Sequence, residues 1–225
     1  MSLSEDRYAT PGQELLTARI HELLDNAPAA RTTVLRERLK TELPVLSDRL
    51  SRLYGCTENF SDWLNQVVVQ AVELALARPD DLWALDIQRA AKPNWHLNGS
   101  LGYCAYTDKF AGNLSGVRQR IPHLQELGVT YLHLLPFLKP GTPPNDGGFA
   151  VASYDEVDPA LGNNHDLQAL TKELRAAGIS LCSDFVLNHV SHEHEWALKA
   201  RAGDAHYQSY FHWAQTPEDV AAHEK

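Results

Sequence analysis

Apolar residues recur every three or four positions along the first part of the chain, which is the spacing of one face of a helix. Prolines divide this part into segments: Pro28 and Pro44 mark the second and third predicted helices, and Pro79 begins a fifth. The fourth helix has the clearest apolar stripe, which comprises Phe60, Leu64, Val67, Ala71 and Leu74. Residues 1–92 are therefore predicted to form an all-α helical bundle.

After residue 92 the pattern changes to short apolar runs that alternate with helical ones. The runs predict strands at 103–106, 129–135 and 179–186, and the helices between them end at Gly128 and Gly178. Alternating strands and helices imply crossover connections and a parallel sheet. Because the strands are almost continuously apolar, both faces of the sheet are expected to be covered. A doubly wound sheet and a (β/α)8 barrel both satisfy this pattern.

Polar side chains follow each predicted strand. Asp108 comes after the first strand, Asp146 lies in the long loop after the second, and His189 comes after the third. Ligands of parallel sheets bind where the strands end, so these side chains are expected at one edge. Carboxylate and imidazole groups suit the neighbouring hydroxyls of a sugar, and Phe149 offers a flat apolar face. The plainer interpretation is a turn aspartate and a helix-capping histidine.

The chain lacks several motifs that would indicate other chemistry. Gly147-Gly148 does not have the G-x-G-x-x-G spacing of a nucleotide-binding sheet, which favours the barrel, and no G-x-S-x-G nucleophile elbow occurs. A zinc-protease helix needs H-E-x-x-H, but Trp196 stands at the fifth position counted from His192. The run around His192 and His194 is therefore predicted to be a solvated helix start.

Composition excludes some classes of function. The chain has 225 residues and a net charge of −9, which argues against nucleic acid and anionic membranes as partners. No run of about 20 apolar residues predicts a membrane span. The N-terminus lacks the apolar stretch of a secretory signal, and the 3 cysteines fit neither a zinc pattern nor a disulfide framework. A cytoplasmic location is expected.

Several segments resemble the alpha-amylase family, glycoside hydrolase family 13. Asp184-Phe185-Val186-Leu187-Asn188-His189 resembles that family's third-strand motif, and residues 146–150 and 154–162 resemble the stretch after its second strand. Within the family, the segments that resemble amylosucrases lie in the helical prefix and beside the strands. They are 53–55, 59–61, 63–64, 101–103, 130–134 and 193–196.

The resemblance implies an N-terminal helical domain followed by the first three β/α units of a TIM (β/α)8 barrel, incomplete in this chain. The implied domains are 1–92 for the helices, 93–190 for the start of the barrel and 191–225 for the start of an excursion after the third strand. The implied activity is retaining glucosyl transfer from sucrose to an α-glucan. The nucleophile, the acid/base and the third carboxylate are expected beyond Lys225, so the chain alone is expected to be inactive.

By the same resemblance, Asp146 and His189 bind hydroxyls of the glucosyl unit. Phe149 stands where the family usually has a stacking tyrosine, while Asp184 and Asn188 are structural. No cofactor and no metal are expected. Two alternatives stay open: a sucrose hydrolase or other glucosidase of the family, and a non-catalytic sugar-binding fragment.

Overall fold

The computed structural model describes residues 11–92 and 99–223, with the side chains from residue 18 onward. The chain divides into two compact units, Met1–Pro93 and Asn94–Lys225. Within the described residues, every helix is too short or too polar to cross a membrane. The predicted domain limits, including the one at residue 190, stay predictions.

The first unit contains only helices in its described part. They are α1 (Pro11–Asp25), α2 (Ala29–Tyr54), α3 (Phe60–Ala77) and α4 (Asp80–Ala90). Buried aliphatic side chains from α1, α2 and α3 form its core, and Trp83 of α4 packs against them. The core residues are Ile20, Leu24, Leu35, Leu64, Val68 and Val72. The predicted all-α region is confirmed.

The predicted helix boundary at Pro44 is wrong, because α2 runs through it without interruption. A proline inside a helix leaves the carbonyl four residues earlier without its usual donor. Pro44 and Lys40 are both exposed, so water can satisfy that carbonyl. Leu39, Leu43 and Leu50 on both sides of the proline pack against the same core, which favours one continuous helix.

The buried face of α3 also differs from the predicted stripe. The structure buries Leu64, Val68 and Val72, while Leu74 is 73% exposed. Residues 67–69 are three consecutive valines. Both Val67 and Val68 therefore lie at helical spacing from Leu64, and the sequence does not show which of them belongs to the buried face. Contacts with α1 and α2 decide which line is buried.

The second unit alternates strands and helices in the predicted order. Its strands are β1 (Gly102–Ala105), β2 (Tyr131–Leu134) and β3 (Ser180–Ser183). Its helices are α5 (Thr107–Ala111), α6 (Leu114–Gln119), α7 (Ile121–Glu126), α8 (Asn164–Ala176), α9 (Glu195–Arg201), α10 (Ala205–Gln208) and α11 (Pro217–His223). The single helix predicted over 113–126 is divided at Arg120. Pro122 lies in the first turn of α7, where a proline is accommodated.

The strands form a parallel sheet in the order β1-β2-β3. Cys104, His133 and Cys182 lie side by side in its register. The predicted fold class, a helical region followed by a parallel α/β sheet, is confirmed, and the order β1-β2-β3 is consistent with the first three units of a (β/α)8 barrel.

The two faces of the sheet differ in polarity and burial. Leu132 and Leu134 are fully buried, in a core shared with α6, α7 and α8. The opposite face carries Cys104, which is exposed, and His133 and Cys182, which are half-buried. Within the described residues, the expectation that both faces of the sheet are covered is therefore not met. The reason is clearest in β2, where Tyr131 and His133 alternate with the buried Leu132 and Leu134.

The long loop after β2 folds back on itself before α8 begins. Isolated antiparallel bridges join Leu138 to Val157 and Pro140 to Val151. The side chain of Asn163 then caps α8 in a reciprocal arrangement with Asp166. The loop thus starts and ends at fixed points, and its tip contains Asp146.

Candidate functional site

The loop after β2 and the segment after β3 meet at two of the predicted site residues. The Nε2 atom of His189 lies 3.5 Å from an Oδ atom of Asp146. The two side chains are 46% and 45% exposed, so both can be reached from solvent. They meet because parallel strands deliver their following loops to one edge of the sheet.

A tight turn fixes the carboxylate of Asp146. One oxygen accepts a hydrogen bond of 2.8 Å from the backbone N–H of Ala150. This bond is the main reason why the pKa of Asp146 is lowered, and His189 lowers it further. Gly147 and Gly148 have φ values of +82° and +92°, which favour glycine. A Cβ at Gly147 would also lie 3.2 Å from the hydroxyl of Tyr106.

The other nitrogen of His189 faces its neighbour in sequence. Nδ1 lies 2.7 Å from the side-chain oxygen of Asn188 and donates to it, because an amide oxygen can only accept. A neutral His189 therefore presents Nε2 as an acceptor beside Asp146, whereas the protonated form donates from Nε2. The pair can accept from hydroxyls at two adjacent points, which fits a polyhydroxylated ligand.

The remaining predicted residues differ in their positions. Phe149 is half-buried, three residues after Asp146 in the same turn. Asp108 lies in α5 and forms an ion pair of 2.8 Å with Lys109, whose hydrogen bond lowers the pKa of Asp108. Tyr106 directly follows β1, and its hydroxyl lies 3.2 Å from the point that a Cβ of Gly147 would occupy, so it lies beside the Asp146 turn.

Glu193 joins the two loops at a second point. Its carboxylate accepts hydrogen bonds from the backbone N–H of Thr142 at 2.7 Å and from the Thr142 hydroxyl at 3.0 Å. These two bonds, the backbone one first, lower the pKa of Glu193. The backbone N–H of Ser191 also donates to the carbonyl of Val151 at 2.8 Å. The loop that contains Asp146 and the segment that contains His189 are therefore bound together beside the site.

Aromatic side chains support the segment after β3. The Tyr154 hydroxyl donates to the carbonyl of Val186, and its ring lies 5.0 Å from that of Phe185 and 5.7 Å from that of Trp196, between centroids. His194 lies against the same tyrosine, at 5.4 Å. Tyr154 therefore contacts the chain on both sides of His189, at residues 185–186 before it and at residues 194 and 196 after it.

The prediction of a solvated helix start at His194 is wrong. Its side chain is 3% exposed, and burial lowers its pKa. His194 is the N-cap of α9, where its Nδ1 accepts from the backbone N–H of Trp196 at 3.1 Å. His194 is buried because its ring packs against those of Tyr154 and Trp196, and Tyr154 lies far from it in sequence.

Three contributors to the site were absent from the predictions: Tyr106, Tyr154 and Glu193. The partner of Tyr154 lies 32 residues away and that of Glu193 lies 51 residues away. Tyr106 could have been found, because it is the last residue of the first predicted strand, 103–106. Glu193 and Tyr154 lie in segments that resemble the family, but no local pattern indicates their partners, because those partners are distant in the chain.

Metal binding finds no support in the described ranges 11–92 and 99–223. No group of three or more His, Cys, Asp or Glu side chains there is arranged to hold an ion.

Comparison with known proteins identifies a family. The model of the alpha-amylase catalytic domain matches residues 60–223. Trehalose-6-phosphate hydrolase of Escherichia coli is 33% identical over 128 residues, which are 54% of this chain and 23% of that protein. Oligo-1,6-glucosidase of Saccharomyces cerevisiae is 34% identical over 103 residues, 45% of this chain and 17% of that protein. The chain thus spans less than a quarter of the length of these curated relatives.

Among solved structures, trehalulose synthase MutB of Pseudomonas mesoacidophila is 28% identical, with a TM-score of 0.48. The alignment covers 53% of this chain and 23% of that one. Because the family model matches well over half of the chain, in both the helical unit and the sheet unit, this protein belongs to the alpha-amylase family.

Proposed function

We propose that this chain is the N-terminal part of a retaining α-glucosyl-transferring enzyme of the amylosucrase type. Sucrose is its glucosyl donor, and an α-glucan is its acceptor. The observation that carries the proposal is the Asp146–His189 pair, which joins the loops after two neighbouring parallel strands. Helices before the first strand add support, because the resemblance to amylosucrases includes segments of α2 and α3.

The pair is suited to hold one glucosyl unit. Asp146 keeps a fixed orientation through Ala150, so its other oxygen can accept from one sugar hydroxyl. His189 is oriented by Asn188, so Nε2 can meet the next hydroxyl. Phe149 follows in the same turn and supplies an apolar ring for the sugar face. The hydroxyl of a tyrosine at that position would add one hydrogen bond, which this chain lacks.

Transfer with retention needs two further carboxyl groups. A carboxylate attacks the anomeric carbon, and an acid protonates the departing fructose; in retaining enzymes the two are about 5–5.5 Å apart. We assign neither role to Asp146, because it stands where the resemblance to the family implies a residue that binds hydroxyls of the glucosyl unit. Asp146 and His189 bind and orient the glucosyl unit while other parts of the protein perform these steps.

Sugar binding by the chain itself tests the site. We expect weak, millimolar binding of sucrose in a ligand-observed NMR titration, lost in Asp146→Ala and in His189→Ala. Asp108→Ala is the matched control, because Asp108 is also a carboxylate beyond a strand end but pairs with Lys109. Equal binding by Asp146→Ala and the unaltered chain would refute the site.

A second candidate is an α-glucosidase of the same family that acts on a different disaccharide. The relatives favour it, since they include a trehalose-6-phosphate hydrolase and an oligo-1,6-glucosidase. Titration with trehalose 6-phosphate and isomaltose beside sucrose separates the two candidates. Preference for either of these sugars over sucrose would replace the amylosucrase assignment and keep the glucosyl site.

Turnover is expected to be absent from the 225-residue chain. Its described residues form a three-stranded sheet, and three strands cannot enclose a bond between two catalytic carboxyl groups as a closed barrel does. Released fructose is the readout after incubation with sucrose. Fructose release that persists through purification and disappears with Asp146→Ala would show that the chain is catalytic by itself.

A further inference from the structure

Three side chains on the polar face of the sheet form a hydrogen-bonded series. The Sγ atom of Cys104 lies 3.5 Å from Nδ1 of His133, and Nε2 of His133 lies 3.2 Å from an Oδ atom of Asp184. Each comes from a different strand or strand end: β1, β2 and the residue after β3. This series lies apart from the contacts of Asp146 and His189, and it does not rest on the proposed function.

Asp184 determines which nitrogen of His133 carries the proton. A carboxylate only accepts hydrogen bonds, so Nε2 of His133 must donate to it. The neutral ring then has its lone pair on Nδ1, which faces the Cys104 thiol. The second oxygen of Asp184 is buried and has no hydrogen-bond partner within the described part of the chain. The carboxylate is therefore engaged with His133.

We propose that Cys104 is an activated thiol that small soft electrophiles and peroxides modify, with His133 as its base and Asp184 as the residue that orients the base. An imidazole beside a thiol and a carboxylate behind the imidazole are the groups that activate a cysteine nucleophile. Cys104 is exposed, so a reagent can reach it. In a closed (β/α)8 barrel this face points inward, which restricts the site to small reagents.

The reaction with an alkyl halide illustrates the proposed chemistry. The sulfur of Cys104 attacks the CH2 carbon of iodoacetamide, the S–C bond forms, and the C–I bond breaks with iodide as the leaving group. The thiol proton passes to Nδ1 of His133 and then to water. With hydrogen peroxide the S–O bond forms as the O–O bond breaks. The departing hydroxide takes the proton to become water, so that sulfur is oxidised to a sulfenic acid and peroxide is reduced.

Oxidation is expected to stop at the sulfenic acid rather than continue to an internal disulfide. Cys182 lies in the same register but two strands away. Two strand spacings are roughly 9–10 Å. Cysteines whose Cα atoms are more than about 7 Å apart cannot be bridged without backbone movement.

The other cysteines of the chain provide an internal control. Cys56 is exposed in the turn between α2 and α3. We expect iodoacetamide at pH 7 to alkylate Cys104 about tenfold faster than Cys56, measured by mass spectrometry of peptides after short exposures. The ratio of the two rates cannot exceed roughly 30-fold, because an unassisted thiol is already a few per cent ionised at this pH.

Variants test the roles of the two partners. Asp184→Asn keeps the shape of the side chain but replaces the carboxylate by an amide. The amide can present an N–H to Nε2 of His133, which no longer favours the tautomer that accepts the thiol proton, so the rate of Cys104 alkylation should fall several-fold. His133→Leu should bring it to the rate of Cys56. Glu156→Gln is the matched control, because Glu156 pairs with Lys139 and its loss should leave the rate unchanged. Circular dichroism verifies that each variant is folded.

A measurement on the unaltered chain decides the question even if a variant does not fold. In guanidinium chloride the two thiols should react at equal rates, since the series requires the folded sheet. Faster reaction of Cys104 in the native chain only, together with trapping of its sulfenic acid by dimedone after peroxide, supports the proposal. Equal native rates, or a Cys104 rate that is indifferent to His133 in a folded variant, would overturn it.

Discussion

The two units of the chain use polar side chains in different places. In the helical unit, charged groups connect helices: Arg31 of α2 donates to the carbonyls of Leu76 and Arg78 and to the carboxylate of Asp80. The sheet unit has such a pair between helices too, Arg118 of α6 with Glu173 of α8, but its polar groups also connect loops, as Glu193 does with Thr142. Bonds between helices stabilise a bundle, whereas bonds between loops set the positions of side chains at strand ends. The second arrangement is the one that can form a binding site.

The comparison would be sharpened most by disturbing one core at a time. Leu132 is fully buried in the core of the sheet unit. Its replacement by alanine should destabilise that unit by about 2–5 kcal/mol and leave the helical unit unchanged. Hydrogen exchange followed by mass spectrometry reports the two units separately. Leu74→Ala, at an exposed position of α3, is the control with little effect expected, and equal losses in both units would contradict their independence.

The next largest effect is expected from Arg31 in the helical unit. Its side chain is 13% exposed and donates to two backbone carbonyls at 2.7 Å. Arg31→Met keeps most of the apolar stem and leaves those carbonyls unpaired, so the helical unit should lose about 1–3 kcal/mol. Arg52→Met is the control, because Arg52 forms an exposed pair with Asp48 one helical turn away. Exchange protection of α2 to α4 measures the loss, and an equal effect of both variants would argue against a special role for Arg31.

A smaller effect is expected where the loops of the sheet unit are joined. Glu193→Gln retains one oxygen that can accept from Thr142 but removes the charge. We expect faster amide exchange at Thr142 and sugar binding weakened a few-fold, with no change in the melting temperature. Glu195→Gln is a close control, because Glu195 interacts with Lys199 on the surface of α9. If the amide exchange of Thr142 were unchanged in Glu193→Gln, this bond would not hold the loops of the sheet unit in place, and the comparison between the two units would fail.

The smallest effect is a local response to acid. The folded pKa of Asp146 is below its ordinary 3.8, and that of Glu193 is below its ordinary 4.5. A lowered pKa means that each contact is fully present above the ordinary value and is lost as pH falls through the folded pKa. The amide signals of Ala150 and Thr142 should therefore shift with midpoints below 3.8 and 4.5, respectively. NMR titration measures both, and midpoints at or above these values would show that the hydrogen bonds are not formed in solution.

Much of the secondary structure could be predicted from local patterns. The helices before the first strand, the order of strands and helices, and the ends of α7 and α8 near Gly128 and Gly178 depend on spacing and on glycine. The proximity of Asp146 and His189 was also predictable, because each follows a strand and parallel strands end at one edge. Whether this pair binds a sugar stays a proposal.

Tertiary contacts decided what local patterns left open. Burial of Val68 and Val72 rather than Leu74 depends on which helices pack against α3, and the continuity of α2 through Pro44 depends on the core on either side of it. The contacts of Glu193 with Thr142 and of Cys104 with His133 join residues that are 51 and 29 positions apart. Sequence determined these elements through short-range backbone preference. Only the folded chain determined these pairs, because hydrogen bonds between distant residues require the strands and loops to be in place first.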